Sequence, residues 1–231
     1  MSLHSVKPTL RDSQAERSYA HRSRARQVRR SKRNGALDIS LRRFCDVIVA
    51  LVTIMILLPA MLIIAVLIKG DSRGPVLFRQ VRCGRNQRPF VILKFRTMHA
   101  HPSSDGRQAT RDDRRVTRVG RFLRRSSLDE LPQIFNVLRG DMSLVGPRPH
   151  ALWHDELFCD LIEGYRDRYL VKPGMTGLAQ ITGCRGETPT KSDMQRRVEK
   201  DLEYVEKQSL ALDLKILLLT LPTVLCLRDA Y

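Results

Sequence analysis

The sequence predicts an α+β fold, mostly helical, with one short β-hairpin and one long apolar helix near the N-terminus. Three observations predict it. Between Asp46 and Lys69 run 22 residues without a charge, VIVALVTIMILLPAMLIIAVLI. Residues 76–81 and 90–97 read as two short strands joined by a turn region rich in turn-forming residues, Cys83-Gly84-Arg85-Asn86-Gln87-Arg88-Pro89. Most of the chain beyond this hairpin has helical spacing, beginning with Val116, Val119, Phe122 and Leu123. With 231 residues there is room for one sizeable core plus appendages.

The apolar segment comes first. A bilayer span needs about 20 apolar residues, so the run is long enough. It starts too deep in the chain, is too long and lacks the small-residue cleavage site of a secretory signal. A buried globular helix is disfavoured because every face is apolar for about six turns. Both flanks are basic: Arg42 and Arg43 precede it, and Lys69, Arg73, Arg79, Arg82, Arg85 and Arg88 follow. A single crossing would export one basic flank against the positive-inside bias. Pro59, near the middle, removes one helical hydrogen bond. A re-entrant helix broken at Pro59 keeps both ends on one side, with each arm about 16 Å long, half the hydrocarbon thickness.

Downstream, residues 99–114 read as a polar mobile loop. A helix over 134–138 is started by Pro132 and ended at Gly140. Further helices are expected over 157–170 and 194–208. Residues 210–227 are aliphatic but interrupted by Asp213, Lys215 and Pro222, which suits a core helix or one lying in the membrane interface.

Charge narrows the partners. Lys and Arg number 41 against 24 Asp and Glu, a net charge of +17. Residues 1–43 hold twelve of the bases and only three acids, and the stretch to about Asn34 lacks apolar periodicity, so it reads as a disordered basic arm. Nucleic acid, a phospholipid surface and phosphorylated substrates all fit this charge. Aromatic residues are 6% of the chain and do not alternate with bases, which argues against a single-strand nucleic-acid platform. Five widely spaced cysteines without a Cys-x-x-Cys argue against a disulfide scaffold and suit a reducing compartment.

The chemistry-bearing residues cluster in two stretches. In Arg124-Arg125-Ser126-Ser127-Leu128-Asp129-Glu130-Leu131-Pro132-Gln133, Ser127 and Glu130 have capping-box spacing, and on physics alone capping comes ahead of catalysis. Yet adjacent carboxylates diverge and can serve two partners, and the neighbouring arginines suit phosphate. In Gly146-Pro147-Arg148-Pro149, two prolines fix the backbone that presents one guanidinium. His150 and His154 lie four apart without an evident third ligand, and His99 and His101 lie in a loop, so a zinc site is the weaker reading. The Gly/Thr stretch from Lys172 to Gly183 lacks P-loop spacing. It is either a set of turns or a place where backbone approaches a ligand.

Five segments, Arg42 to Asp46, Lys94 to Met98, Ser127 to Gln133, Gly140 to Pro149 and Lys172 to Gly183, together and in this order resemble the bacterial sugar transferases, the monotopic polyprenyl-phosphate phosphoglycosyl transferases. The resemblance covers about residues 41–227. It implies transfer of hexose-1-phosphate from a UDP-sugar to undecaprenyl phosphate, with release of UMP and with Mg²⁺ as cofactor. It also implies Asp129 as nucleophile through a phosphosugar–aspartyl intermediate and Glu130 as the metal-holding carboxylate. Arg148, Arg124, Pro147, Lys94, Arg96 and Gln133 become substrate-binding residues. The expected organisation is a basic arm over 1–40, a re-entrant membrane helix over 41–70 and a catalytic domain over 71–231. That domain would sit on the cytoplasmic face of a bacterial inner membrane and end in an interfacial helix. Expected partners are the UDP-sugar, undecaprenyl phosphate, an anionic phospholipid membrane, downstream glycosyltransferases and, as an option, a second copy of the chain, with no nucleic acid. Arg185-Gly186-Glu187-Thr188 is similar to members that start exopolysaccharide repeats with glucose or galactose. The chain resembles a minimal catalytic version of the larger members. It departs from many members at Leu58, where they carry Ser before the central proline, and Thr53 is too far away to replace that hydroxyl.

Overall fold

A computed structural model describes residues 36–99, 113–184, Gly186, Thr188 and 190–225. The basic arm (except for its last five residues) and most of the polar loop after His99 lie outside the described residues. Helix α1 (Ala36–Asp71) is followed by the hairpin β1 (Leu77–Cys83) and β2 (Pro89–Phe95). Then come α2 (Arg118–Ser126), α3 (Gln133–Arg139), β3 (Ser143–Val145), α4 (Leu152–Phe158), β4 (Gly174–Thr176), α5 (Leu178–Ile181), α6 (Lys191–Lys207) and α7 (Leu210–Leu225). Two short sheets result: β1 pairs antiparallel with β2, Leu77 opposite Phe95, and β3 pairs parallel with β4.

α1 is a single 36-residue helix with Pro59 inside it. The helix runs on through the proline, which removes one donor from a long ladder. The helix also begins at Ala36, within the stretch assigned to the arm. Asp46, Ala50, Met61, Ile64 and Ile68 are buried at helical spacing and pack on the domain. Much of its other surface between Phe44 and Leu67 is apolar and bare: Phe44, Met55, Ile56 and Val66 are 62–72% exposed. α1 is long and apolar enough to cross a membrane.

Polar contacts fasten both ends of α1. Arg43 donates to the Val137 and Leu138 carbonyls at the end of α3, at 2.6 and 2.7 Å, and Asp46 accepts from Ser143 Oγ (2.7 Å) and the Leu144 amide (3.0 Å). At the far end, Asp71 accepts from the Val119 amide, and Arg96 donates to the Ser72 and Arg73 carbonyls.

Several elements follow from local chemistry. Thr117 caps α2, its hydroxyl accepting from the Gly120 amide. Gly140 at φ 88° ends α3 in the left-handed conformation that glycine tolerates. Asn136, fully buried on α3, accepts from the Leu93 amide and donates to the Val91 carbonyl, satisfying the open edge of β2. The helix expected over 157–170 is not continuous. α4 stops at Phe158, Gly164 adopts φ 71°, and residues Tyr165–Leu170 form a tighter 3₁₀ segment.

The Lys172–Gly183 stretch makes neither a P-loop nor mere turns. It enters β4, and there its backbone closely approaches the backbone of β3. A Cβ on Gly174 would lie 2.1 Å from the Gly146 nitrogen.

Candidate active site

Four segments bring charge to one place. β2 carries Lys94. The end of α2 carries Arg124, and the 3₁₀ segment Leu128–Glu130 carries both carboxylates. The loop after β3 carries Arg148. Ser127, between α2 and the 3₁₀ segment, adopts φ 57°, and its amide donates to the Arg124 carbonyl. It therefore closes α2 rather than opening the next helix, and its side chain makes no cap. The capping-box reading is overturned, since an N-cap needs an extended backbone that Ser127 does not have.

Glu130 reaches across to two cations. Lys94 Nζ donates to Oε1 at 2.8 Å, while Arg148 donates from Nη2 to Oε1 at 2.5 Å and from Nη1 to Oε2 at 3.0 Å. Burial alone would raise the Glu130 pKa. Arg148 and Lys94 outweigh it and hold the carboxyl well below its usual range. Asp129 receives neither of these cations' hydrogen bonds. Burial pushes its pKa up to about 6, reinforced by the charge of Glu130 and opposed by Lys94, Arg124 and Arg148. Adjacent carboxylates thus hold opposite roles, one locked in ion pairs and one weakly basic and poised near neutrality. Arg124 Nε donates to Thr97 Oγ1 at 2.9 Å.

Among the residues predicted from sequence, Asp129, Glu130, Lys94, Arg124 and Arg148 come together. Pro147 is buried beside Arg148, and its carbonyl accepts from the Gly174 amide at 3.0 Å. Gln133 is buried at the start of α3, with Nε2 making no hydrogen bond among the described residues. Arg96 is buried, and its Nη atoms bind the Arg73 and Ser72 carbonyls just past the end of α1, where it anchors the long helix.

His150 is also placed by the structure. Its Nδ1 lies 2.7 Å from Tyr165 Oη and 2.7 Å from Arg168 Nη1, in a buried polar network. Among the described residues no group of three His, Cys, Asp or Glu is arranged to hold a metal. Sequence reasoning missed Arg168, whose Nη2 donates to the Arg148 carbonyl at 2.6 Å.

Lys94, Arg124 and Arg148 around two carboxylates leave a local excess of positive charge suited to phosphate oxygens. A family model described as Bacterial sugar transferase matches residues 37–227, and the chain belongs to that family. It is similar to two proteins named UDP-glucose:undecaprenyl-phosphate glucose-1-phosphate transferase. That of Caulobacter vibrioides is 51% identical over 85% of this chain and 73% of its own length, and that of Klebsiella pneumoniae is 50% identical over 84% and 42%. An Aeromonas hydrophila protein named UDP-N-acetylgalactosamine-undecaprenyl-phosphate N-acetylgalactosaminephosphotransferase is 42% identical over 80% of this chain and 44% of its own. The chain spans less than half the length of the Klebsiella and Aeromonas relatives. Family membership and the exposed apolar face of α1 together point to membrane association.

Proposed function

We propose that this chain transfers hexose-1-phosphate from a UDP-sugar to undecaprenyl phosphate and releases UMP, with glucose the favoured hexose. The observation that carries the reading is the Asp129–Glu130 pair, in which the cations bind one carboxylate and leave its neighbour to act. In the first step the Asp129 carboxylate attacks the sugar-linked phosphorus. The bond from that phosphorus to the bridging oxygen breaks, and UMP departs with the electron pair. In the second step an oxygen of undecaprenyl phosphate attacks the same phosphorus and Asp129 leaves as a carboxylate. Lys94, Arg124 and Arg148 offset the negative charge of the transferring group.

Mg²⁺ fits this donor set only as an ion shared with substrate. Glu130 supplies one carboxylate, and Mg²⁺ is commonly held by one or two carboxylates plus substrate phosphates and water. Glu130 would hold it, and the ion would supply further charge neutralisation. The test of the activity is UMP release from UDP-glucose, UDP-galactose and UDP-N-acetylgalactosamine with undecaprenyl phosphate. The expected result is turnover that is fastest with UDP-glucose and absent without the acceptor beyond one equivalent of UMP per enzyme. No UMP from any of the three would overturn the reading.

On the same reading the domain lies on the cytoplasmic face of the inner membrane, with α1 bent at Pro59 so that both of its ends stay on that face, and the exposed Leu214, Leu218 and Leu219 of α7 in the interface. Supplying downstream glycosyltransferases follows from the product, a lipid-linked sugar. The support for re-entry is that Arg43 and Asp46 at one end of the apolar run, and Asp71 and Ser72 at the other, bind one domain. A domain cannot lie on both sides of a bilayer. Single cysteines at Ser40→Cys and Gly70→Cys in a cysteine-free background are expected to label from the same side of sealed vesicles. Gly70 suits this because a Cβ there meets nothing within 4 Å. Opposite-side labelling would establish a span.

A further inference from the structure

Arg148 must meet Glu130 and substrate phosphate with its guanidinium held in one place, and the structure shows what holds its backbone. The Gly146 amide donates to the Thr176 carbonyl at 2.9 Å, and the Pro147 carbonyl accepts from the Gly174 amide at 3.0 Å. Those bonds fix the residues before Arg148 on the β4 side. The Arg148 carbonyl itself accepts from Arg168 Nη2 at 2.6 Å. Arg168 is buried, and its other donors are all directed: Nε to Asp201 Oδ2 at 2.9 Å and Nη1 to His150 Nδ1 at 2.7 Å, with Nη2 also 2.8 Å from Asp201 Oδ2. Its guanidinium carbon lies 5.1 Å from the Tyr165 ring centroid.

A buried ion pair is a costly way to fill a core, since apolar residues of similar volume are often as stabilising or more so. Arg168 and Asp201 are each only 2% exposed at the side chain. What apolar replacements would not supply is a planar fork of donors reaching Asp201, His150 and the Arg148 carbonyl at once. The His150 contact needs an unprotonated Nδ1, and burial followed by the charge of Arg168 keeps this histidine well below its usual range.

We infer that Arg168, oriented by Asp201, is a positioning residue for the Arg148 clamp. It links α6, which carries Asp201, to the phosphate-binding side of the site. The inference rests on the proposed transferase reading for its kinetic test, and a second readout is independent of activity.

The experiment compares wild type, Arg168→Lys, and the double variant Arg168→Met/Asp201→Leu, which removes both charges at similar volume so that the fold persists. For UMP release the expected result is a fall in kcat/KM of about 10–100-fold in both variants, the scale for loss of an outer contact that orients a working group. In an Arg148→Lys background the same double replacement is expected to cost less than about threefold, because the clamp it positions is already impaired. Amide hydrogen exchange is expected to quicken at Gly146, Arg148 and His150, the residues of this stretch that carry an amide hydrogen, in the double variant, with the α1 and hairpin amides unchanged. A full additive loss in the Arg148→Lys background, or unchanged exchange at those amides, would overturn the inference. Absence of UMP release in wild type would instead sink the transferase reading, leaving the exchange result to decide the positioning role alone.

Discussion

Asp129→Asn is expected to abolish UMP release while raising the melting temperature, and Glu130→Gln is expected to lower both. The opposite signs follow from the two environments. The folded state raises the Asp129 pKa from 3.8 to about 6, so its ionised form is disfavoured by folding. That penalty is present in full above about pH 6, shrinks as pH falls toward 3.8, and is gone below it. Asparagine mimics the protonated form. At pH 7.5 its gain, allowing for partial exposure of the site, is about 1 kcal/mol, or about 2–4 °C for a chain of this size. Loss of the proposed nucleophile should nonetheless cost on the order of 10⁴-fold in rate or more.

Glu130 has the reverse linkage. Its carboxyl is held below the usual range, so it contributes stability above about pH 4.5 that is lost on acidification through its folded value. Glu130→Gln takes from Lys94 and Arg148 the carboxylate that both bond, leaving only the neighbouring Asp129 charge. With Lys94 and Glu130 20% exposed and Arg148 24%, the cost is about 2 kcal/mol, less than for a fully buried pair. Differential scanning fluorimetry in detergent and UMP release on the same preparations check both signs. Wild-type kcat/KM should fall about tenfold per pH unit below pH 6, because the proposed mechanism needs Asp129 as a carboxylate. Retained activity in Asp129→Asn would remove it from the nucleophile role. A lower melting temperature there would mean that its charge is stabilising.

What could be read beforehand was whatever has a local cause. The apolar run is α1, the turn between residues 83 and 89 makes the hairpin, and Pro132 with Gly140 brackets α3. What escaped depends on partners far along the chain. Ser127 and Glu130 have capping-box spacing, yet Glu130 bonds Lys94 and Arg148, 36 and 18 residues away, and spacing alone holds no record of either. Lys94 and Arg96 differ by two positions, so strand alternation puts both on one face. β2 ends at Phe95, the alternation ends with it, and Arg96 turns to the end of α1. β3 and β4 have three residues each, too few to show a period, and their pairing joins segments about 30 residues apart. The Arg168–Asp201 pair likewise spans 33 residues.

That last pairing of strands supports the second large effect. Gly174→Ala is expected to destabilise the domain by about 3 kcal/mol or more and to impair transfer even where the protein remains folded. The added Cβ would sit 2.1 Å from the Gly146 nitrogen and 2.5 Å from the Thr176 oxygen, both backbone atoms that no side-chain rotation can move. β3 and β4 must therefore separate. Separation stretches the Gly146–Thr176 and Pro147–Gly174 hydrogen bonds, which fix the backbone leading into Arg148. The guanidinium then loses its register with Glu130, so UMP release measured well below the melting temperature should fall by more than the folded fraction does. Gly70→Ala is the matched control. Its Cβ meets nothing within 4 Å, and alanine favours the helix by about 1 kcal/mol over glycine, so activity should hold and stability should rise slightly. If Gly174→Ala melted like wild type, the tight approach of β3 to β4 would not be what holds the Arg148 loop. The weight of that loop's placement would then fall on Arg168 alone.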